Sequence, residues 1–476
     1  MNVSRVLIAP LAIVSLAALA VSLPSSPRAS ESPSLRVGFA ESDITPDVKA
    51  RTVYIAGFGK NRKATGVHDP LKARATVLAH GKDKIAIVSV DVVGLFHASV
   101  ERVRKSLPGF SYVLVSSTHN HEGPDTMGLW GPSAIASGVD PAYLKRLEEQ
   151  IVAAVRQAEK SLMAVTARLG TARAPELLHD GRQPYIKHDE FVAIQFHDAK
   201  TKKCAGVIVQ WNCHPETLDS RNTLISADYV WATVRHLEAT QRAPAVYLTG
   251  TVGGLMTSLH VPIKDDAGNA LKDGTFEKTE RYGVLVGKLA DRALAAATGV
   301  SLTPLRVRSR DVFLPLDNKL YVLAWKLGVL DRPAYLWMGD AARAKRAGTD
   351  VPPKTPLCVK TELAWLQLGD LSVAAIPGEI YPELVLGKVQ DPADPGADFP
   401  DAPIEPAIYK QMPGPHRMIV GLANDELGYI IPKRQWDEKP PFCYGRKKSQ
   451  YGEVNSLGPE TASILCDVFR TLVKQP

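Results

Sequence analysis

Three short apolar runs stop at residue types that bind metal ions. Ser111–Ser117 leads into Thr118-His119-Asn120-His121-Glu122-Gly123-Pro124. Gly206–Asn212 leads into Cys213-His214-Pro215-Glu216, and Leu371–Ile376 into Pro377-Gly378-Glu379. A fourth run, Lys84–Val90, ends at Asp91. Neutral imidazoles and a carboxylate brought from separate segments are the donors of a catalytic zinc site, which keeps positions open for water and substrate. His119 and His121 share a face if their strand stays extended, so both can point into one cleft. His80, His97, His179, His188, His197, His236, His260 and His416 have no partner at ligand spacing, and His68, beside Asp69, is intermediate. Cys213 adjoins His214, but neighbours on an extended chain point to opposite faces, so it reads as a small buried residue rather than a thiolate ligand. The chain contains no GxSxG, which disfavours a serine hydrolase.

These residues need strands to carry them. The runs named above, with Ala245–Thr249, are near-continuous in apolar residues rather than alternating, the pattern of strands buried on both faces with helices packed over the sheet. Asp140-Pro141 is an N-cap followed by a first-turn proline, and Leu144, Leu147, Ile151 and Val155 follow at helical spacing. Further helices are expected over Glu280–Ala297, ended by Gly299, and over Pro459–Val473, while Asp391–Pro406 reads as a surface loop. The expected fold class is α/β in the mixed α+β sense. It is a single large domain over residues 34–476, with mostly buried sheets against helices and the metal site at the carboxyl ends of strands.

Composition agrees with an ordinary globular enzyme. The 476 residues are 45% apolar and 22% charged, which excludes a disordered chain, collagen and a coiled coil. The net charge of +7 comes without a long basic run or interleaved aromatics, so no nucleic-acid partner is expected. Arg5, the apolar stretch Val6–Leu23 and Ala18-Leu19-Ala20 have the layout of a secretory signal peptide, so residues 1–30 are expected to be leader and linker. The mature protein is expected to be periplasmic or secreted; a retained anchor is the alternative. The five cysteines allow two disulfides at most, with no pairing indicated.

Together the motifs resemble the N-terminal catalytic domain of the neutral/alkaline non-lysosomal ceramidases. The resemblance is carried by Gly38–Thr45 (GFAESDIT), Gly66–Ala75 (GVHDPLKARA), Ser89-Val90-Asp91, Thr118–Pro124, Asn212–Pro215 with Ile225–Asp228, Pro377–Glu379, and Ala423–Tyr429. It implies a zinc amidohydrolase with ligands His119, His214, Glu379 and Tyr429. It implies His121 as a proton-handling group, and Arg182 and Tyr451 as further catalytic groups able to face an oxyanion. Zinc brings the pKa of water from ~15.7 toward ~7, which makes attack on an amide carbonyl feasible at neutral pH.

The implied substrate is a ceramide-like N-acyl amide yielding a fatty acid and a sphingoid base, with peripheral membrane contact compatible with it and no obligate protein partner. An esterase or amidase acting on another substrate, or a non-catalytic member, is the alternative. Two departures stand out. Where the family carries a G-D-x-S-P-N loop, this chain has Gly253-Gly254-Leu255-Met256-Thr257-Ser258, so the serine position is Met256. No immunoglobulin-like C-terminal domain is expected.

Overall fold

Strands such as Tyr112–Ser117 and Cys204–Trp211 are apolar on both faces because two different layers cover them. Val113 and Val115 pack with Leu147, Ile151 and Val155 of a helix, whereas Leu114 between them packs with Leu366, Val373 and Met418 of a second sheet. Val207, Ile208 and Val209 divide in the same way. This is the two-residue period of a strand with both faces buried. Each large aliphatic side chain closed between the layers contributes about 1.5–3 kcal/mol.

The computed structural model describes residues 1, 2, 7, 34–348, 350–352 and 354–475. The expected signal peptide, apart from residues 1, 2 and 7, lies outside the described residues. Everything below belongs to the unit Ser34–Pro476. Among the described residues no helix is long and apolar enough to cross a membrane.

The larger sheet has nine strands. In spatial order they are Ala245–Thr249, Cys204–Trp211, Glu190–Asp198, Met163–Arg173, Arg36–Asp43, Lys72–His80, Asp83–Val90 and Tyr112–Ser117, with Thr298–Val300 added on Met163–Arg173. The outermost pair at each end is parallel and the pairs between are antiparallel. The sheet curls enough for its edges to meet: Thr249 Oγ1–H donates to Thr118 O at 2.8 Å. The second sheet runs Lys345–Arg346, Ala334–Leu336, Leu357–Leu368, Leu371–Ala375 and His416–Val420, with Leu305–Pro315 on Leu357–Leu368.

Helices Pro141–Lys160, Tyr229–Gln241 and Phe276–Ala295 cover the outer face of the first sheet, and Thr461–Lys474 covers that of the second. The result is four layers, helix, sheet, sheet, helix. The sequence pattern correctly reads both strand faces as covered; on the inner face the cover is a second sheet rather than helices. Asp140 caps the first helix through Ala142 N–H at 2.9 Å and Tyr143 N–H at 3.4 Å, an arrangement worth about 1 kcal/mol. Among the described residues all five cysteines are free thiols, and Cys213 is buried, accepting from Tyr282 Oη–H at 3.2 Å.

Candidate metal centre

The strand carrying the two histidines does not stay extended. Its pairing ends at Ser117, and His119 adopts φ +66°, a left-handed conformation costing a side-chain-bearing residue about 1–3 kcal/mol. Two bonds hold it there. His119 N–H donates to Val92 O at 3.1 Å, and Nδ1 faces Val93 O at 2.7 Å. A carbonyl only accepts, so Nδ1 carries the proton. His119 and His121 do meet, with ring centroids 4.9 Å apart, but through a turn rather than through strand alternation.

His214 is held in the same manner. Its Nδ1 lies 2.7 Å from Met256 O, and its backbone N–H donates to that carbonyl at 2.8 Å. The role of position 256 toward His214 is thus a main-chain role, indifferent to whether the side chain is serine or methionine; the Met256 side chain itself is buried in the core. Ser258 lies behind, its Oγ 2.7 Å from Thr217 Oγ1.

With both Nδ1 atoms committed, the two Nε2 atoms converge on one carboxylate oxygen. Glu379 Oε2 is 2.9 Å from His214 Nε2 and 3.4 Å from His119 Nε2. Glu379 begins the two-residue strand Glu379–Ile380, which pairs in parallel with Tyr429–Ile430 so that Glu379 and Tyr429 are register partners. That pairing delivers the tyrosine to the site. The ring nitrogens of His119, His121 and His214 lie within 4.8 Å of one another, and all three are buried, so the group could hold a metal ion.

The electrostatics demand a cation here. Burial pulls the His119 pKa down, but the Glu379 carboxylate outweighs this and lifts it to about 9. Burial pushes the Glu379 carboxyl up, and His119 and His214 hold it well below the usual range. The neighbouring cations are already engaged: Arg62 with Glu122 at 3.1 Å and Arg332 with Asp425 at 2.9 Å. Either a proton or a metal ion must sit among the three side chains. Imidazoles whose second nitrogen donates to a backbone carbonyl are the usual form of metal-binding histidines, so the donor set fits a metal.

His121 differs from the other two. Burial first, then the neighbouring His119 and His214, push its pKa well below that of a free imidazole. Its Nδ1 lies 3.3 Å from Glu216 Oε2, close but outside hydrogen-bond alignment. Phe58 packs edge-on at 5.1 Å. Gly57, at φ +96°, is where the backbone approaches the ring, and a Cβ there would lie 2.3 Å from His121 Cγ.

Above these groups opens a cavity of about 690 Å³ whose lining includes His119, His121, Glu379, Glu426, Tyr429 and Tyr451, with walls mostly of Leu, Trp, Phe and Val. Arg182 does not reach it. It is buried in a bidentate pair with Glu453 at 2.9 and 2.7 Å and donates to Tyr451 O at 2.7 Å and Gln435 O at 2.9 Å. The structure therefore gives Arg182 the job of holding the segment that presents Tyr451, and not a place facing an oxyanion. Tyr451 keeps its ring 5.8 Å from that of Tyr429.

Glu216, Glu426 and Gly57 are site residues that sequence reasoning missed. A carboxylate two positions after His214 was a usable signal. Nothing local marks Glu426, whose carboxyl is pushed up by burial and by Glu379, or Gly57.

Sequence comparison with family profiles and with curated proteins finds no match. Structure comparison does. A crystal structure of neutral ceramidase from Pseudomonas aeruginosa superposes with a TM-score of 0.68 at 18% identity, covering 93% of this chain and 74% of that one. A structure described as ceramidase complexed with C2 gives 0.68 at 16% identity, covering 93% and 75%. The chain has a neutral-ceramidase-like fold.

Proposed function

We propose that this chain is a zinc-dependent hydrolase that cleaves the amide bond of a ceramide-like N-acyl lipid, releasing a fatty acid and an amine. One observation carries the reading: a largely apolar cavity ends on a buried, cation-demanding set of His, Glu and Tyr side chains. The fold shared with neutral ceramidases supports it.

His119, His214, Glu379 and Tyr429 would hold the ion. A bound zinc supplies Lewis acidity and lowers the pKa of water toward neutrality. The chain's own residues do the rest. The apolar walls take the acyl chain and keep bulk water from the scissile bond. With His119, His214, Glu379 and Tyr429 as the ligands, His121 is left free beside them; it takes the proton released by the attacking water and returns it to the departing amine nitrogen. Tyr451, with a hydroxyl protonated at neutral pH, faces the carbonyl oxygen as a donor. Residues 34–476 form the catalytic domain, and export through the N-terminal apolar segment belongs to the same proposal.

The test is metal analysis of the purified protein beside hydrolysis of a fluorescent N-acyl sphingosine. About one zinc per chain is expected, with turnover lost on chelation and restored by zinc. Absence of zinc-dependent turnover across N-acyl amides would overturn the reading.

A further inference from the structure

The cavity mouth has an unusual exterior. Among the described residues thirteen large hydrophobic side chains are strongly exposed, and five of them, Ile135, Leu320, Leu323, Tyr451 and Val454, line this one cavity. A sixth, Leu327, follows Leu323 at helical spacing just past the end of the Lys319–Lys326 helix. Scattered exposed leucines need no explanation, but a cluster around one opening marks a contact surface.

The helix itself is built for two apolar surroundings. Asn318 caps it through Leu320 N–H at 3.0 Å and Tyr321 N–H at 3.2 Å. It then runs Leu320-Tyr321-Val322-Leu323-Ala324-Trp325, and none of its residues is buried. Tyr321, Ala324 and Trp325 line the cavity; Leu320 and Leu323 line its mouth and, with Leu327 outside it, form an exposed stripe at i, i+3 and i+7. Such a helix finds no polar face to offer water. Lys319 and Lys326 stand at its two ends, and Lys60 is at the mouth. All three are exposed, and among the described residues the lysines paired with carboxylates are others, Lys72, Lys84, Lys145, Lys278, Lys360 and Lys433. A lysine beside an apolar stripe can lay its stem on the apolar surface and lift its ammonium to the headgroup level.

We infer that this face docks on a lipid–water interface. The Leu320–Leu323–Leu327 stripe and the apolar rim enter the acyl boundary, and Lys319, Lys326 and Lys60 meet anionic headgroups. Charge complementarity commits the occupant: an apolar patch ringed by free lysines suits an anionic bilayer surface better than it suits a second copy carrying the same lysines. The inference rests on the preceding reading in one respect, that the cavity beneath takes a lipid. Docking then opens the cavity directly toward the layer that holds the substrate.

The experiment is flotation of the full-length protein with vesicles of phosphatidylcholine alone and of equal parts phosphatidylcholine and phosphatidylglycerol. The parent is compared with Leu327→Glu and Lys326→Glu; neither residue lines the cavity, and each variant keeps the same N-terminal segment. The parent should float with the mixed vesicles more than with phosphatidylcholine. Leu327→Glu should weaken that binding about ten-fold, the scale of losing one leucine's burial, and Lys326→Glu should weaken it only on anionic vesicles. Turnover of a short-chain, water-soluble N-acyl amide should be unchanged in both variants. Equal flotation of parent and variants overturns the inference. So does a parent that elutes as a dimer while Leu327→Glu elutes as a monomer, because the face is then covered by a second copy. If flotation falls as expected but no protein hydrolyses any amide, the docking surface stands and the hydrolase reading fails.

Discussion

The floor and the mouth of the cavity are built on opposite terms. On the floor the main chain and two of the imidazoles are tightly fixed. His119 is fixed by two backbone carbonyls and a left-handed turn, His214 twice by Met256 O, and Tyr429 by its register with Glu379. At the mouth the Lys319–Lys326 helix has no buried residue and meets its surroundings through half-exposed apolar side chains. The floor concentrates charge in a dry setting where each group depends on the next. The mouth spreads weak apolar contact over many residues, none of them indispensable. Substitutions should therefore act steeply below and gently above.

The steepest expected loss is at the ligands. His214→Ala leaves Glu379 and His119 without the second imidazole, so zinc content should fall to background and hydrolysis with it. Metal analysis on the folded variant checks this. A variant that still binds zinc as the parent does moves the centre elsewhere.

His121→Ala separates ligand from proton carrier within the floor. If His119, His214, Glu379 and Tyr429 are the ligands, the variant keeps its zinc and loses roughly two to four orders of magnitude in kcat. If it arrives folded and metal-free, the three histidines form the metal group and the proton carrier is another residue. Glu426, buried and lining the same cavity, is then the next to test.

How much of this was legible follows the same division. The floor's ligand candidates announce themselves because apolar strands stop at His119, His214 and Glu379, and an ionisable residue at the end of a buried run has few structural uses. Tyr429 could be assigned only through the family resemblance, because a two-residue parallel pairing places it and pairing register leaves no local trace. The resemblance implies that Arg182 faces the reaction; the Glu453 carboxylate that claims it lies 271 residues away. Strands Arg36–Asp43 and Met163–Arg173 escaped notice because their partly exposed positions break the apolar run. The mouth was unreadable for a different reason. Lys319–Lys326 is apolar all round, so no period distinguishes it from a buried segment.

Just behind the floor, pH should act on stability. Burial pushes the Glu383 carboxyl up to about 7, although Gln435 Nε2–H donates to its Oε1 at 3.0 Å. The folded state therefore keeps this proton where the unfolded chain releases it near the usual glutamate value of about 4.3. The sign follows: the contribution is fully present below the unfolded pKa and is lost as pH rises through about 7. Asp180, likewise lifted to about 7 by burial, adds in the same direction. Stability should decline between about pH 4.5 and 8 by a few kcal/mol. Glu383→Gln should flatten part of that slope without removing zinc. Denaturant titrations of both proteins across this range check it, and parallel pH profiles would mean that Glu383 is ionised in the native state.

The smallest effect belongs to the mouth. Trp325 lies half-buried on the cavity side of the Lys319–Lys326 helix, and no residue of that helix is buried. Trp325→Ala removes a large apolar surface from the wall without opening a hole in a packed core, so the stability cost should stay within about 1 kcal/mol. On the proposed reading the wall meets the acyl chain far from the scissile bond, and such contacts are made alike in the ground and transition states. KM for a long-chain N-acyl amide should then rise about ten-fold with kcat little changed, and a short-chain amide that does not reach the wall should show neither change. Steady-state kinetics on the two chain lengths decide between the contrasting outcomes. A kcat loss on both, accompanied by reduced zinc, would mean that the helix supports the metal centre and that floor and mouth are a single mechanical unit.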